Sequence, residues 1–216
     1  MLENFKLEFE KIKKMNFKEK LWYIKEYYLI QIIIFLFIFL FIFSVSKNIL
    51  KKRNVLNSYF INTFIEERAK EYVIEDFKEY SNLKEKNKLF NLNTSIEINL
   101  DEPFNSPLNR SYILKLTSLI SAKNVDCIIA PKGVINYYLT IDAFEPLEEI
   151  LPLEKYKDNI YIAKNKYQEE KAYAIKISNS KILNNIGLNN ELYFSIPKNA
   201  KNIENTLKFL EYIYFN

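Results

Sequence analysis

Two hydrophobic patterns divide this chain. From Tyr27 to Val45 the run YYLIQIIIFLFIFLFIFSV carries no charge, and its one strongly polar residue, Gln31, lies near one end. At about 19 residues it matches the roughly 20 that cross a 30 Å hydrocarbon core as a helix. Apolar on every face and bounded by Lys25, Glu26, Lys47, Lys51, Lys52 and Arg53, it reads as a membrane span rather than a buried core helix. The run exceeds the 7–15 residues usual in a cleaved leader, and a charged segment precedes it, so an uncleaved anchor is expected. Trp22, Tyr27 and Tyr28 suit the interface at its N-terminal edge.

From Asn54 onward the pattern alternates between strand and helix periods. Val55–Ile61 reads as a strand, and a helix follows from about Ile65 to Tyr80 with Ala69, Tyr72, Val73, Phe77 and Tyr80 on one face. Phe90–Leu100 contains a second strand, in which Ile96, Ile98 and Leu100 alternate with polar residues. Ser106 as cap and Pro107 at the first turn then open a helix to about Ala122, burying Ile113, Leu116, Leu119 and Ile120. Val125–Ala130 (VDCIIA) is a nearly continuous apolar run, as in a central parallel strand. A short helix over Val134–Leu139 and a turn-rich apolar stretch ending at Pro152 follow.

Strands at Ile160–Ala163 and Ala172–Ile177, joined by a charged turn, predict a hairpin. A short helix at Lys181–Ile186, a strand at Leu192–Ile196 and a last helix with Ile203, Leu207, Leu210 and Tyr214 on one face complete the chain. The expected fold class is α/β: an N-terminal transmembrane helix, then one open, mostly parallel sheet. The expected organisation is a cytoplasmic amphipathic and basic segment at 1–26, with Phe5, Phe9 and Ile12 opposite lysines. The span follows at 27–46, a juxtamembrane linker at 47–54 and the α/β domain at 55–216.

Composition narrows the chemistry. The 216 residues hold no histidine, one cysteine (Cys127) and two glycines, Gly133 and Gly187. That excludes Ser-His-Asp and Cys-His catalysis, histidine-ligated metals, thiolate zinc cages and glycine-rich phosphate loops. Asp101-Glu102 and Glu148-Glu149 are adjacent carboxylates that point apart and have no accompanying nucleophile. No catalytic residue, metal or cofactor is assigned, and the chain is not read as an enzyme. Cys127, flanked by apolar residues, reads as a small core residue.

The net charge of +4 is unevenly placed. Residues 1–53 hold 11 basic and 5 acidic side chains, whereas 54–216 hold 20 and 22. The basic character therefore points to the lipid bilayer rather than to nucleic acid. Lysines 11, 13, 14, 18, 20 and 25 outnumber the basic residues after the span, which places the N-terminus in the cytoplasm and the C-terminal domain outside the cell.

In open α/β sheets, ligands and partners dock at the carboxyl ends of the strands. Asn62, Thr63, Asp101, Glu102, Asn105, Pro131, Lys132 and Gly133 fall there and form the expected ligand- or partner-binding set.

Val125–Ala130, then Ala143-Phe144-Glu145-Pro146-Leu147-Glu148-Glu149-Ile150-Leu151-Pro152, resembles the solute-binding proteins of ABC importers. Those carry a "D-V-I-hydrophobic-A" strand followed by a "G-x-hydrophobic-x-P-L-D-D-hydrophobic" turn. Ser195–Ala200 and Thr206–Ile213 resemble their returning strand and closing "A-hydrophobic-K-F-hydrophobic-E-Y-hydrophobic" helix. The whole arrangement is similar to uncharacterised membrane-anchored proteins of Gram-positive bacteria.

The resemblance implies one periplasmic-binding-protein-like lobe, since Pro152 to Leu192 leaves only about 40 residues where the family inserts a second. Ala143 stands where the family has glycine, and the Tyr27–Val45 span stands in for a lipid-bearing cysteine. It further implies a membrane-tethered, non-enzymatic binding or accessory module, with an ABC permease as candidate membrane partner and a small solute as candidate ligand. The alternative is a structural or interaction protein that assembles a membrane complex without a solute.

Overall fold

The computed structural model describes residues 13, 15–50, 53–83, 88–101, 106–177 and 180–216. The predicted amphipathic face of Phe5, Phe9 and Ile12 lies outside the described residues. The chain divides into two compact units, 1–51 and 52–216.

The long helix among the described residues of the first unit is α1 (Phe17–Leu50). Asn16 and Glu19 cap it reciprocally: the Glu19 N–H donates to Asn16 Oδ1 (2.9 Å) and the Asn16 N–H to Glu19 Oε2 (3.0 Å). Helix α1 runs unbroken through residue 27, where the span was predicted to begin. Its stretch Phe17–Phe43, 27 residues long, is long and apolar enough to cross a membrane, and its most apolar 18 residues have no buried side chain. Gln31, with its amide oriented by its hydrogen bonds, donates to the Tyr27 carbonyl at 3.1 Å, which satisfies an N–H within the helix.

The second unit is a single open sheet covered on both faces. Its elements are β1 (Arg53–Ile61), α2 (Glu67–Tyr80), β2 (Lys88–Ile96), α3 (Pro107–Ser121), β3 (Cys127–Ala130) and α4 (Lys132–Leu139). Two 3-10 turns at Leu147–Glu149 and Leu153–Asn159 lead to β4 (Ile160–Lys164), β5 (Glu170–Lys176), α5 (Lys181–Asn185), β6 (Tyr193–Ser195) and α6 (Ile203–Phe215). The strand order is β2-β1-β3-β6-β5-β4. β1 pairs in parallel with β2 and β3, but β3–β6, β6–β5 and β5–β4 are antiparallel. The sheet is therefore mixed, not mostly parallel as expected.

Side-chain alternation in the strands sorts the core into two layers. Leu56, Phe60, Cys127, Ile129 and Phe194 face α2, α5 and α6, whereas Tyr59, Ile61, Ile128, Ala130 and Tyr193 face α3 and α4. Cys127 is fully buried in the first layer, and desolvation pushes its thiol pKa up, which keeps it an inert core residue. Tyr72, predicted on the inward face of α2, is 56% exposed instead; Val73 and Phe77 carry that face. Ser106 occupies the cap position of α3 and Pro107 its first turn, but the Ser106 side chain makes no cap hydrogen bond. The working serine cap is Ser180, whose Oγ accepts from the Leu183 N–H at the start of α5 (3.2 Å).

Several tyrosines are packed into these layers, with a consequence at high pH. Burial pushes Tyr138 up to about 12 despite the opposing Thr117 hydroxyl, and burial together with the Glu191 carboxylate pushes Tyr193 up to about 12. Tyr156 and Tyr212 are raised for the same first reason, loss of water. Phenols held protonated by the fold stabilise it fully below their unfolded pKa near 10. That stability is lost as pH rises through the folded values. We expect the ultraviolet phenolate titration of the full chain to be biphasic. Exposed tyrosines should ionise first, and the rest only as the domain unfolds between pH 10 and about 12. A single transition near pH 10 would contradict the packing described.

Candidate functional site

The parallel half of the sheet sends its strand ends to one edge, and a cleft of about 520 Å³ opens there. Three segments wall it. Asn62, Thr63 and Phe64 follow β1, while Glu97, Ile98 and Asn99 follow β2. Leu108, Asn109 and Tyr112 come from the first two turns of α3.

Two asparagines build these walls by imitating backbone. Asn62 sits in the left-handed region (φ 57°), which asparagine tolerates better than most residues. Its Nδ2 donates to the Ile98 carbonyl (2.7 Å) and its Oδ1 accepts from the Ile98 N–H (2.6 Å), extending the β1–β2 ladder by one side chain. Asn109, itself buried, repeats the device on Asn99, donating to the carbonyl at 2.7 Å and accepting from the N–H at 3.1 Å. Asn99 in turn accepts from the Asp101 N–H at 3.0 Å. These clamps fix three segments that would otherwise be free loops.

The predicted set is thus split. Asn62 and Thr63 line the cleft, but both polar ends of Asn62 are occupied by Ile98. Asp101 is exposed beside the cleft without lining it, and Glu102 and Asn105 lie outside the described residues. Pro131, Lys132 and Gly133 follow β3 and do not line the cleft either. The Lys132 ammonium lies 4.8 Å over the Tyr161 ring, and a Cβ on Gly133 would come within 3.1 Å of Leu100 Cδ1.

No family model, curated protein or solved structure matches the chain. The chemistry of the cleft must therefore be read from its own residues.

Thr63 is 7% exposed, and its hydroxyl has no hydrogen-bond partner among the described residues. Phe64 and Leu108, in contrast, are 81% and 63% exposed. Glu97 is exposed and is the one carboxylate in the lining. Glu97, Asn99, Leu108, Asn109 and Tyr112 were missed by sequence reading. The available signals were the polar phase of the Ile96-Glu97-Ile98 alternation and the Ser106-Pro107 helix start, which brings the first turns of α3 to the strand ends. Among the described residues no group of His, Cys, Asp or Glu could hold a metal ion. Glu148 and Glu149 serve the fold: Glu148 accepts from the Ala172 N–H (3.1 Å) and Glu149 pairs with Lys171 (3.1 Å).

Proposed function

We propose that this chain is a membrane-tethered, non-enzymatic binding module whose α/β domain, outside the cytoplasm, recognises a solute or partner at the β1–β2 cleft. The observation that carries the reading is the open cleft at the carboxyl ends of two parallel strands, the place where open α/β sheets receive ligands. The apolar helix α1 supports the tether. Its 34 residues make about 50 Å of helix, more than a hydrocarbon core of about 30 Å requires. The excess falls to the lysine-bearing first turns, and the lysine surplus there supports a cytoplasmic N-terminus.

Likeness to one lobe of an importer's solute-binding protein gains support from where its two motif regions meet. β6 returns antiparallel beside β3, the Glu145 N–H donates to the Ile196 carbonyl (2.9 Å), and the Lys198 N–H donates to the Ala143 carbonyl (3.0 Å). The turn after α4 and the closing segment thus form one piece of the domain. On this reading an ABC permease is the candidate neighbour in the membrane. The exposed Phe64 and Leu108 favour a second reading, a structural protein that docks another protein at the same edge without a solute.

External protease on intact protoplasts is expected to remove the domain while sparing an N-terminal tag. Survival of the domain would overturn the orientation. Crosslinked partners co-purified with the full chain should be lost in Leu108→Asp, and retention of every partner would remove the cleft from the docking surface.

A further inference from the structure

The residues of the cleft also point to what it binds, given that it binds a solute at all. No basic side chain is among the residues that line it; Arg110, between Asn109 and Tyr112 on α3, is exposed and does not line the cleft. Glu97 contributes a carboxylate to the lining, and Asp101, four residues on, is exposed beside it. The amides of Asn62 and Asn109 are spent on the Ile98 and Asn99 backbones. What remains is the Glu97 carboxylate, the Asn99 side-chain amide N–H, the unpartnered and more than nine-tenths buried Thr63 hydroxyl, the Tyr112 phenol, and the exposed apolar bodies of Phe64 and Leu108.

A carboxylate prefers a partner that donates charged hydrogen bonds. An exposed aromatic face attracts a cation and disfavours an anion. A buried hydroxyl without a partner is destabilising, and a ligand N–H that reached it would satisfy it. The cleft volume of about 520 Å³ lies within the 300–1,000 Å³ range of small-molecule sites, so a compact solute fits better than a folded partner.

We propose that the cleft takes a small organic cation, a primary amine or guanidinium group carried on a short carbon chain, with Glu97 as its charge partner, Thr63 as a hydrogen-bond partner and Phe64 and Leu108 against the carbons. This rests on the binding-module reading and narrows it. A negative wall discriminates as well as attracts: it excludes carboxylate and phosphate solutes by repulsion.

Calorimetric titration of the full chain in zwitterionic nanodiscs tests it, with agmatine and n-pentylamine as probes and glutarate and n-pentanol as controls of similar length. Saturable binding of the two cations alone is expected, weakened tenfold or more in Glu97→Gln. Thr63→Val should weaken it severalfold with an unchanged circular dichroism spectrum. Cation binding that Glu97→Gln leaves untouched would overturn the assignment. Saturable glutarate or pentanol binding that is lost in Leu108→Trp would overturn the cation while leaving a solute-binding cleft in place. Silence from all four compounds would also overturn it, and the binding-module reading would then be judged by the partner co-purification alone.

Discussion

Phe77→Ala is expected to remove about 3–5 kcal/mol from the α/β domain, the usual cost of emptying a buried aromatic site. Phe77 is fully buried on α2 and is the meeting point of four rings. Phe90 on β2 lies 4.6 Å away, Phe209 on α6 5.1 Å and Tyr212 on α6 5.3 Å, the last two edge-on. Edge-to-face pairs add about 0.5–1.5 kcal/mol each beyond burial. Tyr212 also donates its hydroxyl to Asp76 (2.6 Å), so the two helices are joined by a polar bond at the rim of the same cluster. For a domain whose total stability is about 5–15 kcal/mol, the loss removes a fifth or more. Urea unfolding of the full chain in micelles, followed by near-ultraviolet circular dichroism of the tyrosines, reads it directly. Phe77→Leu, which keeps much of the volume but loses both edge-on ring pairs, should cost less, about 1–3 kcal/mol. Equal losses in the two variants would mean that α2 is not docked on the sheet through this ring.

The helical face containing Phe77 was legible because Ala69, Val73 and Phe77 recur at helical spacing; Tyr72 and Tyr80 were misplaced, both being exposed, since an aromatic ring counts as apolar whether or not it is covered. α6 was harder. Its aliphatic spacing selects Ile203, Leu207, Leu210 and Tyr214, yet the most buried positions include Thr206, Phe209 and Ile213. The helix is covered on more than one side, and Thr206 tolerates burial because its hydroxyl donates to the Asn202 carbonyl (2.8 Å). Hydropathy does not register that bond.

Strand direction was the larger miss. Alternation of strands and helices predicts parallel neighbours, but direction is decided by what each connection can reach. α5 has five residues, about 7.5 Å of helix, too short to return the chain along the length of β5. β6 therefore enters antiparallel. The hairpin of β4 and β5 was predictable because its turn is local: the buried Asn165 accepts from the N–H groups of Tyr167 (2.9 Å) and Glu169 (3.1 Å).

At the candidate site, sequence reading located the edge but not the roles. Asn62 drew notice as a polar residue at a strand end; its employment on Ile98, 36 positions away, has no sequence signature. Asn109 was invisible for the same reason. Reading also stopped at the strand-end loops, whereas a third of the cleft comes from α3.

The other large effect is expected at Asp126, which separates fold from ligand in the resemblance drawn from VDCIIA. Asp126 is 1% exposed, and its carboxylate accepts five hydrogen bonds. Oδ1 takes the N–H groups of Lys201 (3.1 Å) and Asn202 (3.0 Å). Oδ2 takes the Asn57 N–H (2.8 Å) and the side-chain amides of Asn202 (2.9 Å) and Asn57 (3.4 Å). One side chain thereby ties β1, the entry to β3 and the start of α6, which also sees a negative charge at its N-terminal end. Every lone pair that could greet a solute is already engaged, so the aspartate of that motif acts in this chain as a brace for the fold. Asp126→Ala leaves several part-buried donors without an acceptor, and the summed cost is about 3–5 kcal/mol. Asp126→Asn retains a single acceptor oxygen and should lose roughly half as much. Urea midpoints of the full chain in micelles give both values, and hydrogen exchange should show the protection of α6 collapsing before that of β1. If Asp126→Ala instead kept its midpoint within about 0.5 kcal/mol of the parent, Asp126 would not be the brace, and the motif would have to be reconsidered as part of a ligand site.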